Sequence, residues 1–321
     1  MSPVHLLVLS NPAAPYLRLL KRLPPSTVIT VSNNGDYLAR EAPGADVILN
    51  AFSPSDLLRV VFPLTKKLRW IHSLSAGVEK LLWPELIESP VLLTNGRGVY
   101  RRPLAEWAVG AALFFAKDFR RLVRQQEAGV WEQFEVEELH GRTLSIVGYG
   151  EIGRAVAEKA RAFGMEVIAL RRHLEISASE HLATMFGPSQ LHDMLKVSDY
   201  VLISAPSTPA TKRMISDSEF AVMKPSAVVI NIGRGSVIDE AALVRALREE
   251  RIRGAALDVF EREPLVDGHP LYRLSNVLLS PHCADHVEGM RDLAMEMFTR
   301  NFEHFIKGEP LENVVDKCAG Y

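Results

Sequence analysis

The chain has 321 residues, 47% of them apolar and 24% charged, which suits a soluble globular protein of roughly two domains. Its 37 basic and 39 acidic residues leave a net charge of −2 with no basic block, which argues against nucleic acid or a membrane surface as partner. No apolar run reaches the roughly 18 residues of a membrane span, the N-terminus lacks the pattern of a secretory signal, and Cys283 and Cys318 have neither metal nor disulfide spacing, so a reduced, cytoplasmic enzyme without a metal is the expectation.

Residues 4–95 alternate between strand-like and helix-like segments. The runs 4–10, 27–31, 45–51, 68–73 and 91–94 read as strands, and those around 16–23, 55–62 and 81–88 as helices. Such alternation predicts a parallel α/β sheet. No glycine fingerprint follows the first strand, so this half is not expected to bind a dinucleotide. It does place the small residues Ser75, Ala76 and Gly77 directly after a strand, where free N–H groups in a turn could hold a carboxylate. An ordinary strand-to-helix connection reads equally well there.

A long helix is expected from Pro103, apolar nearly all round at first and polar from Arg120 to Gln126. Trp131 and Phe134 fall in the loop after it. The strand at 144–147 then runs into Gly148-Tyr149-Gly150-Glu151-Ile152-Gly153, followed by apolar residues at helical spacing. In a G-x-G-x-x-G turn the first glycine allows the tight exit from the strand. The second lets a pyrophosphate approach the backbone, and the third lets helix and strand pack closely. Unpaired N–H groups at the helix start suit a diphosphate. With Gly164 to close the helix and a second strand at 165–170, the βαβ context of a dinucleotide site is complete.

The second strand ends in Leu170-Arg171-Arg172-His173, where NAD-binding versions usually carry an acid for the ribose hydroxyl. An arginine cannot accept from a hydroxyl but can grip a 2′-phosphate bidentately, so NADP is the expected cofactor, with NAD possible. Two solvated arginines, with the acid elsewhere at Glu175 for instance, is the other reading. Further strands at 200–205, 227–232, 254–259 and 277–280 continue a doubly wound pattern. Polar residues gather at their ends, which in an open parallel sheet form the binding crevice. Arg234, Glu263 and His282 lie there and make a coherent oxidoreductase set: a cation for the substrate, a proton donor near neutral pH, and a carboxylate to support it.

The chain resembles the D-isomer-specific 2-hydroxyacid dehydrogenases over nearly its whole length. The carriers are the segment from Glu138 through the glycine fingerprint, Ala205-Pro206-Ser207-Thr208-Pro209-Ala210-Thr211, the run 229–240 around Ile232-Gly233-Arg234, Asp258 with Glu263, and Ser280-Pro281-His282. The resemblance implies that Arg234 binds and polarises the substrate, that His282 is the acid/base, and that Glu263 pairs with it. It also implies that Asp258 holds the nicotinamide carboxamide, that Ala76 and Gly77 receive the substrate carboxylate, and that the protein is a homodimer. A flavodoxin-like substrate domain of residues 1–97 plus 287–321 and a Rossmann domain of residues 98–286 follow from it. Within the family, Arg171-Arg172 resembles the NADP-preferring hydroxypyruvate and glyoxylate reductases, in some of which an aromatic at the Phe134 position reaches the neighbouring active site. Cys283-Ala284-Asp285-His286 departs from the glycine or serine more usual after the histidine. A non-catalytic dinucleotide sensor, like the corepressors that resemble this family, is the reading from another class; formate dehydrogenases differ in carrying Gln at the Glu263 position.

Overall fold

The computed structural model describes residues 3–52, 55–172 and 183–321. Two compact units make up the chain, Met1–Tyr100 with Val287–Tyr321, and Arg101–His286.

The first unit is built on five parallel strands: β1 (His5–Leu9), β2 (Val28–Ser32), β3 (Val47–Asn50), β4 (Trp70–Ser73) and β5 (Leu92–Asn95), in the order β2-β1-β3-β4-β5. This is the flavodoxin-like winding. Helices α1 (Gly35–Glu41), α2 (Ser55–Val61) and α3 (Pro84–Glu88) connect the strands, and a C-terminal helix, Met290–Lys307, closes the unit. Every residue of β3 and β4 is buried, the pattern of parallel strands covered on both faces. Alternation sorts their neighbours: Leu7, Leu9, Ile48 and Ile71 enter one core cluster, while Leu6, Val8, Leu49 and Trp70 enter another with Phe298 and Phe302 of the C-terminal helix. In that second cluster His72 is fully buried, with Nδ1 2.6 Å from Thr94 Oγ1. Its Nε2 has no hydrogen-bond partner among the described residues. Burial pushes its pKa down to about 3, so the imidazole is neutral.

The strands fall where the sequence predicts, but the helices differ in three places. Residues 16–23 form a 3-10 helix, Pro15–Arg22, and residues 81–88 divide into a 3-10 turn at Glu79–Leu81 and α3, which starts afresh at Pro84. Helix α1 has one buried residue, Leu38, and so leaves no apolar period; the Asn34 side chain caps it by accepting from Tyr37 N–H at 2.9 Å.

The second unit begins with α4 (Arg101–Ala116) and α5 (Phe119–Ala128). A single long helix is expected here. It breaks because Asp118 takes φ +46° and its side chain accepts from Arg121 N–H, capping a new helix. Seven parallel strands follow with their helices: β6 (Thr143–Val147), α6 (Glu151–Ala162), β7 (Glu166–Leu170), β8 (Thr184–Phe186), α7 (Leu191–Val197), β9 (Tyr200–Ile203), α8 (Asp217–Val222), β10 (Val228–Asn231), α9 (Glu240–Arg248), β11 (Gly254–Leu257) and β12 (Val277–Leu279). Their order is β12-β11-β10-β9-β6-β7-β8, so the winding reverses between β6 and β9. A crevice opens at the carboxyl ends of strands at such a switch point. Both sheets are wholly parallel and the fold is the α/β pair of doubly wound sheets that the alternation predicts.

Candidate active site

The turn from β6 into α6 sits at that switch point. Gly148 has φ +98°, and a Cβ there would lie 2.6 Å from Ala205 N and Cα, so only glycine lets β6 and the β9 loop approach. A Cβ on Gly153 would lie 2.6 Å from Gly148 O, whereas one on Gly150 would meet nothing within 4 Å. Gly150 therefore faces open space beside the helix start. The N–H groups of Glu151, Ile152 and Gly153 have no acceptor among the described residues. Free donors, an open cradle and a helix of 12 residues behind it fit a diphosphate. The Glu151 carboxylate at this helix start is paired with Arg101 at 3.4 Å and Arg154 at 3.1 Å.

At the end of β7, Arg171 is half-buried and its N–H donates to Phe186 O at 3.0 Å, which joins the strand end to β8. Arg172 beside it is exposed. His173 and Glu175 lie outside the described residues. Across the switch point, Ala205 and Pro206 follow β9. The Thr211 hydroxyl donates to Pro206 O at 2.6 Å and accepts from Thr208 N–H at 2.8 Å, so it closes its own loop.

Three neighbouring strand ends carry the candidate reactive groups. After β10, Ile232 N–H is tied to Ile203 O at 3.2 Å, and the buried Asn231 side chain accepts from Gly233 N–H at 3.1 Å and donates to Arg234 O at 3.1 Å. Asn231 thus fixes the backbone on both sides of the turn that presents Arg234. Gly235 must be glycine, since a Cβ would collide with the Phe260 carbonyl. After β11, Asp258 is 1% exposed, and its Oδ1 accepts from Ser280 Oγ at 2.6 Å, Cys283 N–H at 2.9 Å and Ala284 N–H at 3.1 Å. Those bonds hold the loop after β12, in which His282 takes φ +49° and donates its N–H to Asp258 O at 2.9 Å. Glu263 is anchored by Phe260 N–H on Oε1 at 3.0 Å and meets His282 Nδ1 with Oε2 at 2.7 Å.

This pair sets its own protonation. The hydrogen bond that His282 donates to Glu263 is the largest influence on the imidazole and holds it above its ordinary range, although burial and the Arg234 charge oppose it. Burial would push the Glu263 carboxyl up, but the bonds from His282 and Phe260 N–H, with the charges of His282 and Arg234, leave the group below its ordinary range. The site therefore favours an imidazolium–carboxylate pair with a guanidinium-bearing residue acting on both.

In the first unit, Ser75, Ala76 and Gly77 follow β4. Their carbonyl side is occupied: Leu74 O accepts from Tyr100 OH at 2.6 Å, Ser75 O from Gly96 N–H at 3.1 Å, and Ala76 O from Asn95 Nδ2 at 2.6 Å. The N–H groups of Ser75, Ala76 and Gly77 have no acceptor among the described residues. That turn is a nest of free donors suited to a carboxylate. Phe134 lies in the irregular segment after α5, half-buried, with the Arg121 guanidinium 4.1 Å from its ring centroid. Sequence reasoning gave no role to Asn95, Ser204, Asn231 and Ser280, which hold the loops; Ser204 does so by donating its hydroxyl to Gly148 O at 2.7 Å. Each is a polar residue at or just past the end of an apolar strand, and that position is the signal that could have found them.

A family model described as D-isomer specific 2-hydroxyacid dehydrogenase, NAD binding domain, matches residues 109–284. A glyoxylate reductase of Thermococcus gammatolerans is 35% identical over 80% of this chain and 79% of its own length. A D-isomer specific 2-hydroxyacid dehydrogenase family protein from Aeromonas salmonicida superposes with a TM-score of 0.86 at 31% identity, over 98% of this chain and 100% of that one. An NADPH-dependent glyoxylate/hydroxypyruvate reductase from Sinorhizobium meliloti, solved with NADP and sulfate, gives a TM-score of 0.85 at 27% identity over the full length of both chains.

Proposed function

The chain belongs to the D-isomer-specific 2-hydroxyacid dehydrogenase family, and from that premise we propose that it is an NADPH-preferring reductase of a small 2-keto acid such as glyoxylate or hydroxypyruvate. It is an NAD(P)-dependent oxidoreductase. The observation that carries the reading is the His282–Glu263 bond of 2.7 Å, beside a turn that presents Arg234 in a dinucleotide-type unit. A non-catalytic sensor has no use for that set.

Arg101–His286 is the dinucleotide unit, supported by the family match across 109–284, and the other unit is the substrate unit. The N–H groups of Gly150, Glu151, Ile152 and Gly153 would hold the diphosphate, with Gly148, Ala205, Pro206, Thr211, Ile232 and Gly233 shaping the crevice. Arg171 and Arg172 take the 2′-phosphate, and Asp258 Oδ2 takes the carboxamide. When bound, the nicotinamide supplies the hydride. In the dinucleotide unit Arg234 would grip the substrate and polarise its carbonyl; in the other unit the N–H groups of Ser75, Ala76 and Gly77 are those suited to a carboxylate. His282 gives its Nε2 proton to the carbonyl oxygen while Glu263 steadies the charged ring on Nδ1.

The protein is a cytoplasmic homodimer in this reading; its two cysteines are free, and α5 with the segment carrying Trp131 and Phe134 offers an apolar face to a second copy. No helix among the described residues is long and apolar enough to cross a membrane. Initial rates with NADPH and NADH against glyoxylate, hydroxypyruvate, pyruvate and larger 2-keto acids test the proposal. The smallest acids with NADPH should give the highest kcat/KM, and no turnover with any pair would refute it.

A further inference from the structure

The opposite, amino-terminal edge of the seven-stranded sheet holds a cavity that the dehydrogenase reading leaves without a role. Its volume is about 520 Å³, within the range of small-molecule sites, and the residues leading into β10, β11 and β12 line it. Three arginines reach it from separate elements: Arg248 ends α9, Arg253 precedes β11, and Arg273 ends the turn before β12.

Arg253 is committed, with Nη1 3.0 Å from Glu137 Oε1 and Nη2 2.6 Å from Phe115 O. The Arg248 and Arg273 side chains make no hydrogen bond or ion pair among the described residues. The acid in the lining, Glu250, pairs with neither, and nearby Glu249 is taken by Arg251 at 2.6 Å. Arg248 has a partial structural reason, because the last turn of a helix favours a cation; Arg273 lies outside any α-helix. The N–H groups of Ser275 and Asn276, in the same lining, also have no acceptor among the described residues. The cavity therefore joins two uncompensated guanidinium groups to further donors, with Glu250 alone opposing them.

We propose that this cavity binds a small anion bearing two or more negative groups, a phosphoester or a polycarboxylate, gripped between Arg248 and Arg273. Guanidinium forks recognise carboxylate and phosphate oxygens alike, so the shared chemistry is a multiply charged oxyanion. The site is independent of the cofactor crevice, and the proposal stands or falls apart from the substrate reading.

The test is calorimetric titration of the full-length protein, saturated with NADPH, with pyrophosphate in one arm and citrate in the other at constant ionic strength. Saturating cofactor keeps the Arg171 and Arg172 end of the crevice from giving a false signal. Saturable binding of one site per chain is expected for at least one probe, and the arm that binds tighter identifies the phosphate or the carboxylate source. Arg248→Ala and Arg273→Ala, both at exposed positions, should each weaken it about tenfold or more, the loss of a charge-assisted contact. Arg172→Ala should leave it unchanged. Absence of saturable binding in both arms, or Arg248→Ala and Arg273→Ala variants that bind as tightly as the unsubstituted protein, overturns the proposal.

Discussion

His282 Nδ1 and Glu263 Oε2 meet at 2.7 Å across 19 residues of chain, and the contact charges both groups in the sense that reduction requires. A proton donor must hold its proton when the keto acid binds, and the carboxylate favours the protonated ring. His282→Ala should lower kcat by about 10²–10⁴, the usual cost of a lost general acid. Glu263→Gln should move the high-pH limb of the reductive rate profile to lower pH, since the imidazolium loses its ionised partner. His286 is exposed, with Nε2 3.7 Å from Asp285 Oδ1, and His286→Ala should retain most activity. Steady-state rates over pH 5–10 decide the matter; loss of activity in the His286 variant alone would move the acid to that residue.

Cofactor choice rests on Arg171 and Arg172 at the end of β7. Arg171→Asp should cut kcat/KM for NADPH by about ten- to a hundredfold, the weight of a charge-assisted contact of about 1.5–3 kcal/mol. NADH should be little affected, because it lacks the 2′-phosphate. Equal kcat/KM for the two cofactors in the unsubstituted protein would remove the arginines from this role.

The first unit should be acid-sensitive through His72. Its folded pKa is depressed from an ordinary 6.5 to about 3, so between those values the unfolded chain binds a proton that the folded chain refuses. Stability then rises with pH across the window and falls as pH drops below 6.5, by up to about 1.4 kcal/mol per pH unit. His282, shifted the other way, has its contribution in place below 6.5 and loses it only as pH rises through its raised folded value, so its main effect falls outside this window. Urea midpoints between pH 6.5 and 5 should decline in the unsubstituted protein and decline less in His72→Gln. The narrow window limits interference from titrating carboxylates. Parallel slopes would show that His72 is not the sensor.

Apart from the short, partly exposed edge strand β8, both sheets are legible in the sequence because parallel strands buried on two faces leave short apolar runs, and polar residues stand in the loops after them. β4 and β10 illustrate this, each wholly buried and each followed by candidate site residues. Helices held by capping rather than by an apolar stripe are not legible: α1 depends on Asn34 and a single buried leucine, and the break before α5 depends on Asp118 adopting a left-handed backbone. Nor could the sequence give the partners of Asn231. Its two bonds around Arg234 exist only once the turn is formed.

Gly235 links the Arg234 turn to the loop that anchors Glu263. A side chain there would collide with the Phe260 carbonyl, and backbone cannot yield as a flexible side chain can. Gly235→Ala should cost about 1–3 kcal/mol, typical of overpacking, and lower kcat because both catalytic loops shift. Thermal melting and turnover measured together check this. A variant with wild-type melting temperature and reduced kcat would place the effect in loop geometry alone, and one unchanged in both would deny the close approach.

Assembly is the prediction most dependent on surface chemistry. Helix α5 has no buried residue, yet Phe119, Leu122 and Val123 recur at i, i+3 and i+4 and are all exposed. Trp131, just beyond its end, is 96% exposed. A stripe at helical spacing on an otherwise polar helix is the mark of a face that packs against something. A two-fold axis lets one such stripe cover its own copy, so a homodimer is the simplest occupant. Light scattering at micromolar concentration should give about twice the 35.7 kDa chain mass. Burying each of these side chains is worth about 1.5–3 kcal/mol, so Leu122→Glu with Val123→Glu should shift the population to monomer. If Phe134 reaches the neighbouring site, Phe134→Ala should raise KM in a protein that stays dimeric, whereas the monomeric double variant should lose activity beyond that. A monomer in the unsubstituted protein would sink the dimer and, with it, any contribution of Phe134 to a second active site.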